Sequence, residues 1–142
     1  MAEQCVLIAE GNDQLRKRLC DKLIDAGVSF DSVADGRAAI DKLAERVYAM
    51  MILDLSLPLL DGVSVIAGVR NLRLADRPML LVTANSGPMP ALDSDLVQMV
   101  LRKPYDARQI ADVIASCLRA VAEQRKRLAV RRIDESRDRA EI

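Results

Sequence analysis

The chain has 142 residues, 51% of them apolar and 30% charged, with a formal charge of zero, a balance that fits one soluble globular domain. It holds no histidine, and its three cysteines, Cys5, Cys20 and Cys117, are widely spaced. This composition excludes Ser-His-Asp and Cys-His catalysis and a histidine phosphodonor within the chain, and it argues against a zinc site or a disulfide framework.

Cys5–Ala9 is a continuous apolar run, as expected of a strand buried on both faces of a parallel sheet. Gly11 and Asn12 mark a loop, and Asp13 is the expected cap of a helix whose inward residues are Leu15, Leu19, Leu23 and Ala26, ending at Gly27. A second strand is predicted over Val28–Val33. Asp35 and Gly36 open a second helix, with Ile40, Leu43, Ala44 and Val47 inward. Met50–Leu53 is a third buried strand, ending at Asp54, and the loop to Asp61 contains Pro58. Gly62 leads into a third helix with Val65, Ile66 and Val69 inward. Arg77 and Pro78 precede a fourth strand, Met79–Thr83. The turn-rich stretch from Asn85 to Pro90 is poor for helix, with a short helix expected near Ala91–Leu96 and a fifth strand over Gln98–Leu101. Asp106 then caps a last helix with Ile110, Val113, Ile114, Cys117, Leu118 and Val121 on one stripe.

Five short buried strands alternating with amphipathic helices imply parallel β-α-β units, and right-handed crossovers place helices on both faces of one doubly wound, five-stranded parallel sheet. The domain is expected over residues 1–120. Beyond it, residues 121–142 read as a charged helical C-terminal extension: residues 119–142 carry 8 basic and 5 acidic side chains, against 13 and 16 before them. Arg125, Lys126, Arg127, Arg131 and Arg132 have no interleaved aromatics and no DNA-binding motif around them, so a solvated helix is preferred to a nucleic-acid surface. A homodimer contact through the last helix stays open, although Arg125 and Arg132 interrupt its apolar seam. No run reaches the roughly 18 apolar residues of a membrane span, and Met1 to Leu7 lacks the pattern of a signal peptide. No membrane contact and a cytoplasmic location are expected.

In such sheets the functional site lies at the carboxyl ends of the strands. The polar residues there are Glu10, Asp54, Thr83 and Lys103, each just past an apolar strand. Two carboxylates at adjacent strand ends make a hard oxygen site suited to Mg²⁺. A carboxylate can act as nucleophile in phosphoryl transfer. A lysine supplies a point charge for one phosphoryl oxygen, and a threonine donates a hydroxyl to another.

These stretches, VLIAEGNDQLRKRL, MMILDLSLPLLDG, PMLLVTAN and LRKPYD, resemble the receiver domains of two-component response regulators over roughly residues 4–120. The resemblance implies a flavodoxin-like strand order 2-1-3-4-5, with the fourth helix irregular here. It implies that Asp54 is the phosphoacceptor, that Glu10 is the first of an acidic pair, and that Thr83 and Lys103 are the family's hydroxyl and lysine. The metal would be held by Glu10, Asp54 and the backbone carbonyl of Ser56, and the Lys103–Pro104 peptide would be cis. The chain would be a signalling domain and not an enzyme beyond slow autodephosphorylation. A histidine kinase or phosphotransfer protein would load it, and its output would pass to a downstream protein.

Two positions depart from the pattern. Gly11 stands where the second acidic metal ligand belongs and Asn12 offers only a neutral oxygen, so weaker Mg²⁺ binding is expected. Val100 stands where an aromatic residue of the fifth strand commonly rotates on activation. These departures motivate an alternative, a pseudo-receiver that binds partners without phosphorylation. A haloacid-dehalogenase-type phosphatase would need an acid at Ser56, and a flavin protein would need a phosphate-cradling loop where Glu10–Asp13 is acidic.

Overall fold

The structure, a computed structural model, describes residues 4–140, with side chains to residue 137; the first three residues of the expected domain and the last two of the expected extension lie outside the described residues. Five parallel strands form one sheet in the order β2-β1-β3-β4-β5, as the resemblance implied. They are β1 (Cys5–Ala9), β2 (Ser29–Val33), β3 (Met50–Asp54), β4 (Met79–Ala84) and β5 (Val97–Arg102). The helices are α1 (Asp13–Asp25), α2 (Gly36–Glu45), α3 (Gly62–Arg70) and α4 (Ala107–Ala140), with a 3₁₀ turn at Leu74–Asp76.

The central strands carry no polar residue before their ends because both of their faces are covered. On one face Leu7, Met51, Leu53, Leu80 and Val82 pack with Ala39 and Leu43 of α2 and Val65, Ile66 and Val69 of α3. On the other face Val6, Ile8, Ile52 and Leu81 pack with Leu19 and Leu23 of α1 and Ile110, Ile114 and Leu118 of α4. Each such aliphatic side chain contributes roughly 1.5–3 kcal/mol by leaving water, so the two layers hold the strand tips in a fixed relation.

The short polar residues before each helix act as caps. Asn12, and not Asp13, caps α1: its side-chain oxygen accepts from Leu15 N at 3.0 Å. Asp35 and Asp61 do the same for α2 and α3. The Asp106 carboxylate accepts from Arg108 N at 2.9 Å at the start of α4. Gly27, at φ +71°, ends α1 in the left-handed region that glycine adopts without strain.

Several expected inward positions are corrected. Ala26 lies past the end of α1 and is exposed. α2 stops at Glu45, so Val47 lies beyond it, 51% exposed, and Ala44 faces solvent. The second strand begins at Ser29, and the fifth runs one residue further at each end than expected.

The short helix expected near Ala91–Leu96 is absent. Only a turn remains, with Leu96 N and Val97 N both donating to Asp93 O. Pro88 and Pro90 keep helix out of the stretch before this turn, since proline lacks the N–H and the residue before it is pushed away from helical ψ. The loop is instead pinned at its ends. Arg102 Nη1 donates to Asn85 O (2.8 Å) and Gly87 O (2.7 Å), and Asp93 pairs with Arg70 of α3. With no helix over this part of the sheet, Met99 and Val100 of β5 stay 39% and 37% exposed.

α4 continues as one helix well past the sheet, and residues 123–137 are exposed throughout. Among the described residues, no helix is long and apolar enough to cross a membrane.

Candidate functional site

The sheet brings all four expected side chains to one end. Glu10 follows β1, Asp54 ends β3, Thr83 lies in β4 as the register partner of Asp54, and Lys103 follows β5. Glu10, Asp54 and Thr83 are buried, at 2%, 3% and 1% exposure.

Lys103 lies between the two carboxylates. Its Nζ is 3.0 Å from Glu10 Oε1, 3.2 Å from Glu10 Oε2 and 3.2 Å from Asp54 Oδ2. One ammonium therefore offsets two buried anions, which would otherwise repel each other and bear the full cost of dehydration. Backbone amides complete the cradle. Gly11 N donates to Asp54 Oδ2 (3.4 Å), Ser56 N to Asp54 Oδ1 (2.9 Å) and Asn12 N to Glu10 Oε2 (3.0 Å). Even so, burial pushes the Glu10 carboxyl above the ordinary glutamate value of 4.5, and its contact with Asp54 acts in the same direction, against the Asn12 amide and Lys103.

Thr83 stands apart. Its Oγ1 is buried and has no hydrogen-bond partner, although most buried hydroxyls have one.

The loop after Asp54 is tightly built. Leu60 N donates to Pro58 O (2.8 Å) around Leu59 at φ +66°, a strained turn for a leucine. Gly62 sits so close to the end of β3 that a Cβ there would fall 2.8 Å from Asp54 O and 2.6 Å from Leu55 Cα. The Lys103–Pro104 peptide is cis, as the resemblance implied.

Three contacts were not foreseen. Tyr105 Oη donates to Glu10 Oε1 at 3.4 Å, Arg16 Nη1 donates to the Glu10 carbonyl at 2.9 Å, and Asn85 Nδ2 donates to Ser56 Oγ at 3.1 Å. The nearest sequence signal for Tyr105 is its place two residues after Lys103; Arg16 carried none. A cleft of about 480 Å³ opens beside these groups, lined by Asn12, Leu15, Arg18, Asn85, Lys103 and Tyr105 among others.

The family model for the response regulator receiver domain matches residues 6–115. This chain belongs to that family. Among curated relatives, the transcriptional regulatory protein TctD of Salmonella typhimurium is 32% identical over 121 residues, covering 84% of this chain and 54% of that protein. The chain spans about half or less of the length of such relatives. Two solved structures below 25% identity share the fold. The receiver domain of the LuxO-type repressor from Vibrio parahaemolyticus superposes with a TM-score of 0.71 at 21% identity, over 87% of this chain and 95% of that one. The receiver domain of the sensor histidine kinase PA1611 of Pseudomonas aeruginosa, solved with magnesium in its active-site cleft, gives 0.63 at 24% identity, over 79% and 94%.

As a response-regulator receiver, the chain is a two-component signalling domain. Its departures from the family pattern have structural counterparts. Asn12, beside Gly11, uses its side-chain oxygen to accept from Leu15 N and cap α1. A Cβ built on Gly11 would lie 3.8 Å from Asp54 Oδ2 and 3.2 Å from Pro58 Cδ, so position 11 borders the Asp54 carboxylate and is roofed by the Pro58 loop. Among the described residues no three Asp, Glu, Cys or His side chains group as a metal site, and the acidic donors at the strand ends are Glu10 and Asp54.

Proposed function

We propose that this receiver accepts a phosphoryl group on Asp54 and passes the signal on by a change in its contacts with another protein. The observation that carries the reading is the Lys103 ammonium between Glu10 and Asp54, beside the unpartnered hydroxyl of Thr83. A carboxylate oxygen of Asp54 attacks the phosphorus of a phosphohistidine in a histidine kinase or phosphotransfer protein. The N–P bond breaks as the O–P bond forms, and the imidazole leaves with the electron pair. Lys103 turns from Glu10 to a phosphoryl oxygen, and the Thr83 hydroxyl donates to another. Water later attacks the acyl phosphate, breaks its O–P bond and releases inorganic phosphate, restoring Asp54. Such a reaction depends on positioning and charge more than on proton transfer.

The donors present fit a hard cation: two carboxylates, from Glu10 and Asp54, and the carbonyl of Ser56. Bound Mg²⁺ would offset the repulsion between Asp54 and the incoming phosphoryl oxygens, and the missing third carboxylate makes its binding weak. The phosphoryl group alters partner affinity only by favouring one of two arrangements. The segment that takes the new arrangement is the loop after Thr83, which Arg102 and the Asn85–Ser56 bond hold in place.

Residues 1–120 form the receiver in this reading, and residues 121–142 are a solvated helical extension. At about 3.6 residues per turn, the exposed Leu128, Val130 and Ile133 do not fall on one stripe, which favours a single copy over a homodimer through α4. The pseudo-receiver reading has Gly11 in its favour. Incubation with acetyl phosphate, with and without Mg²⁺, followed by intact mass measurement separates the two. A single phosphoryl adduct that needs Mg²⁺ and disappears in Asp54→Asn is expected. An unmodified protein at high donor and metal concentration would leave the pseudo-receiver reading standing.

A further inference from the structure

The Glu10 carboxylate has a side-chain contact that the proposed reaction does not use, the hydroxyl of Tyr105. Glu10 Oε2 is held by a backbone amide, Asn12 N, and by Lys103; Oε1 is held by Lys103 and by Tyr105. In this scheme a phosphoryl oxygen competes with Glu10 for the three donors of the Lys103 ammonium. Once its ammonium turns to a phosphoryl oxygen, Oε1 keeps Tyr105 and Oε2 keeps the Asn12 amide. The phenol suits this task. Its ring packs against the layer that includes Leu19 of α1 and Ile110 of α4, and its hydroxyl is a donor to the carboxylate.

The burden on Glu10 is also heavier than usual here. With Gly11 at the neighbouring position and the neutral oxygen of Asn12 already accepting from Leu15 N, Glu10 is, among the described residues, the carboxylate that stands beside Asp54 at the strand ends. A ligand that must act without a second acid loses more when its orientation is loose.

Resting on the metal-dependent reading above, we infer that Tyr105 is a positioning residue for the cation site: its hydroxyl holds Glu10 Oε1 in the geometry that binds Mg²⁺, before and after Lys103 moves to the phosphoryl group. Tyr105 touches neither the phosphoryl group nor the acceptor oxygen in this account. It acts through Glu10.

The test is a MgCl₂ titration of the full chain, followed by the backbone amide shifts of Gly11 and Asn12, on wild type and on Tyr105→Phe, which keeps the ring and removes the hydroxyl. The same pair is repeated in a Glu10→Gln background. About tenfold weaker Mg²⁺ binding is expected for Tyr105→Phe when Glu10 is present, the lower end of the loss seen when a ligand's outer partner is removed, and no difference when Glu10 is glutamine. At saturating Mg²⁺ the acetyl phosphate labelling rate of Tyr105→Phe should return to the wild-type rate. Equal affinities in the two Glu10 proteins would overturn the inference while leaving the phosphoacceptor reading intact. An equal loss in both backgrounds would assign the effect to ring packing and overturn it as well. A wild-type protein that shows no Mg²⁺-dependent shift at all would remove the metal reading, and the role of Tyr105 with it.

Discussion

Asp54 and Thr83 are register partners on adjacent parallel strands, yet their buried polar atoms are treated in opposite ways. Asp54 receives two backbone amides and the Lys103 ammonium, whereas Thr83 Oγ1 has no partner. An unsatisfied buried hydroxyl costs roughly 1–3 kcal/mol, so the unphosphorylated fold carries a penalty that a phosphoryl oxygen can remove. Thr83→Val keeps the shape and deletes the hydroxyl. It is expected to raise stability by about 1 kcal/mol in urea unfolding. After acetyl phosphate treatment it should still gain the Asp54 adduct but show much smaller amide shifts at Asn85–Gly87 than wild type. A variant that is less stable and shifts normally would contradict this role.

Gly11 invites the reverse experiment. A Cβ at this position faces Asp54 Oδ2 at 3.8 Å, so a carboxylate placed there would share the cation with Glu10 and Asp54. Gly11→Asp is expected to tighten Mg²⁺ binding about tenfold, because ligand charge sets much of the affinity. Without metal the same variant should lose about 1 kcal/mol, from a third anion in the pocket and from the 3.2 Å approach to Pro58 Cδ. A metal titration paired with urea unfolding, each with and without Mg²⁺, reads both effects. Unchanged affinity would mean that position 11 does not border the cation site.

The success of the sequence at the strand tips has a simple cause. CVLIA, MMILD and MLLVT are buried on both faces, so the first polar residue after each apolar run marks where the strand leaves the core, and parallel topology gathers those ends together. Helix ends were less legible. Asn12 and Asp13 are both good caps, and nothing local decides between them. Leu92 and Leu96 have helical spacing, but Leu96 N and Val97 N both fold back on Asp93 O, so only a turn forms. The contacts of Tyr105 and Arg16 with Glu10 were hidden because they depend on how the turn after β5 and the first turn of α1 meet across the sheet end.

The extension of α4 supports a stability test. Residues 123–137 are exposed along the whole helix, whereas Ile110, Ile114 and Leu118 of the same helix are in the core. Ending the chain after Glu123 should therefore change unfolding free energy by no more than about 0.5 kcal/mol and leave the sedimentation behaviour that of a single copy. A large loss of stability, or a full-length chain that sediments as a dimer while the shortened one does not, would show that this helix is a contact surface between copies.

Glu10 makes the stability of the apo protein fall as pH rises. Its folded pKa is raised above 4.5, chiefly by burial. At pH values below 4.5 the carboxyl is protonated in both folded and unfolded chains and costs nothing. Between 4.5 and the raised folded value the unfolded chain gives up its proton first, so folding must take a proton up, and stability declines until the folded pKa is passed. Asp61, lowered by its cap bond to Ser64, acts in the opposite sense, adding stability above 3.8 and losing it as pH falls. The difference between wild type and Glu10→Gln isolates the Glu10 contribution. Urea midpoints measured from acid to neutral pH should show the glutamine variant gaining on wild type as pH rises. Saturating Mg²⁺ should reverse that gain, because the cation binds the ionised carboxylate and rewards the proton's departure. Parallel curves for the two proteins would show that the Lys103 ammonium already compensates the buried charge in full.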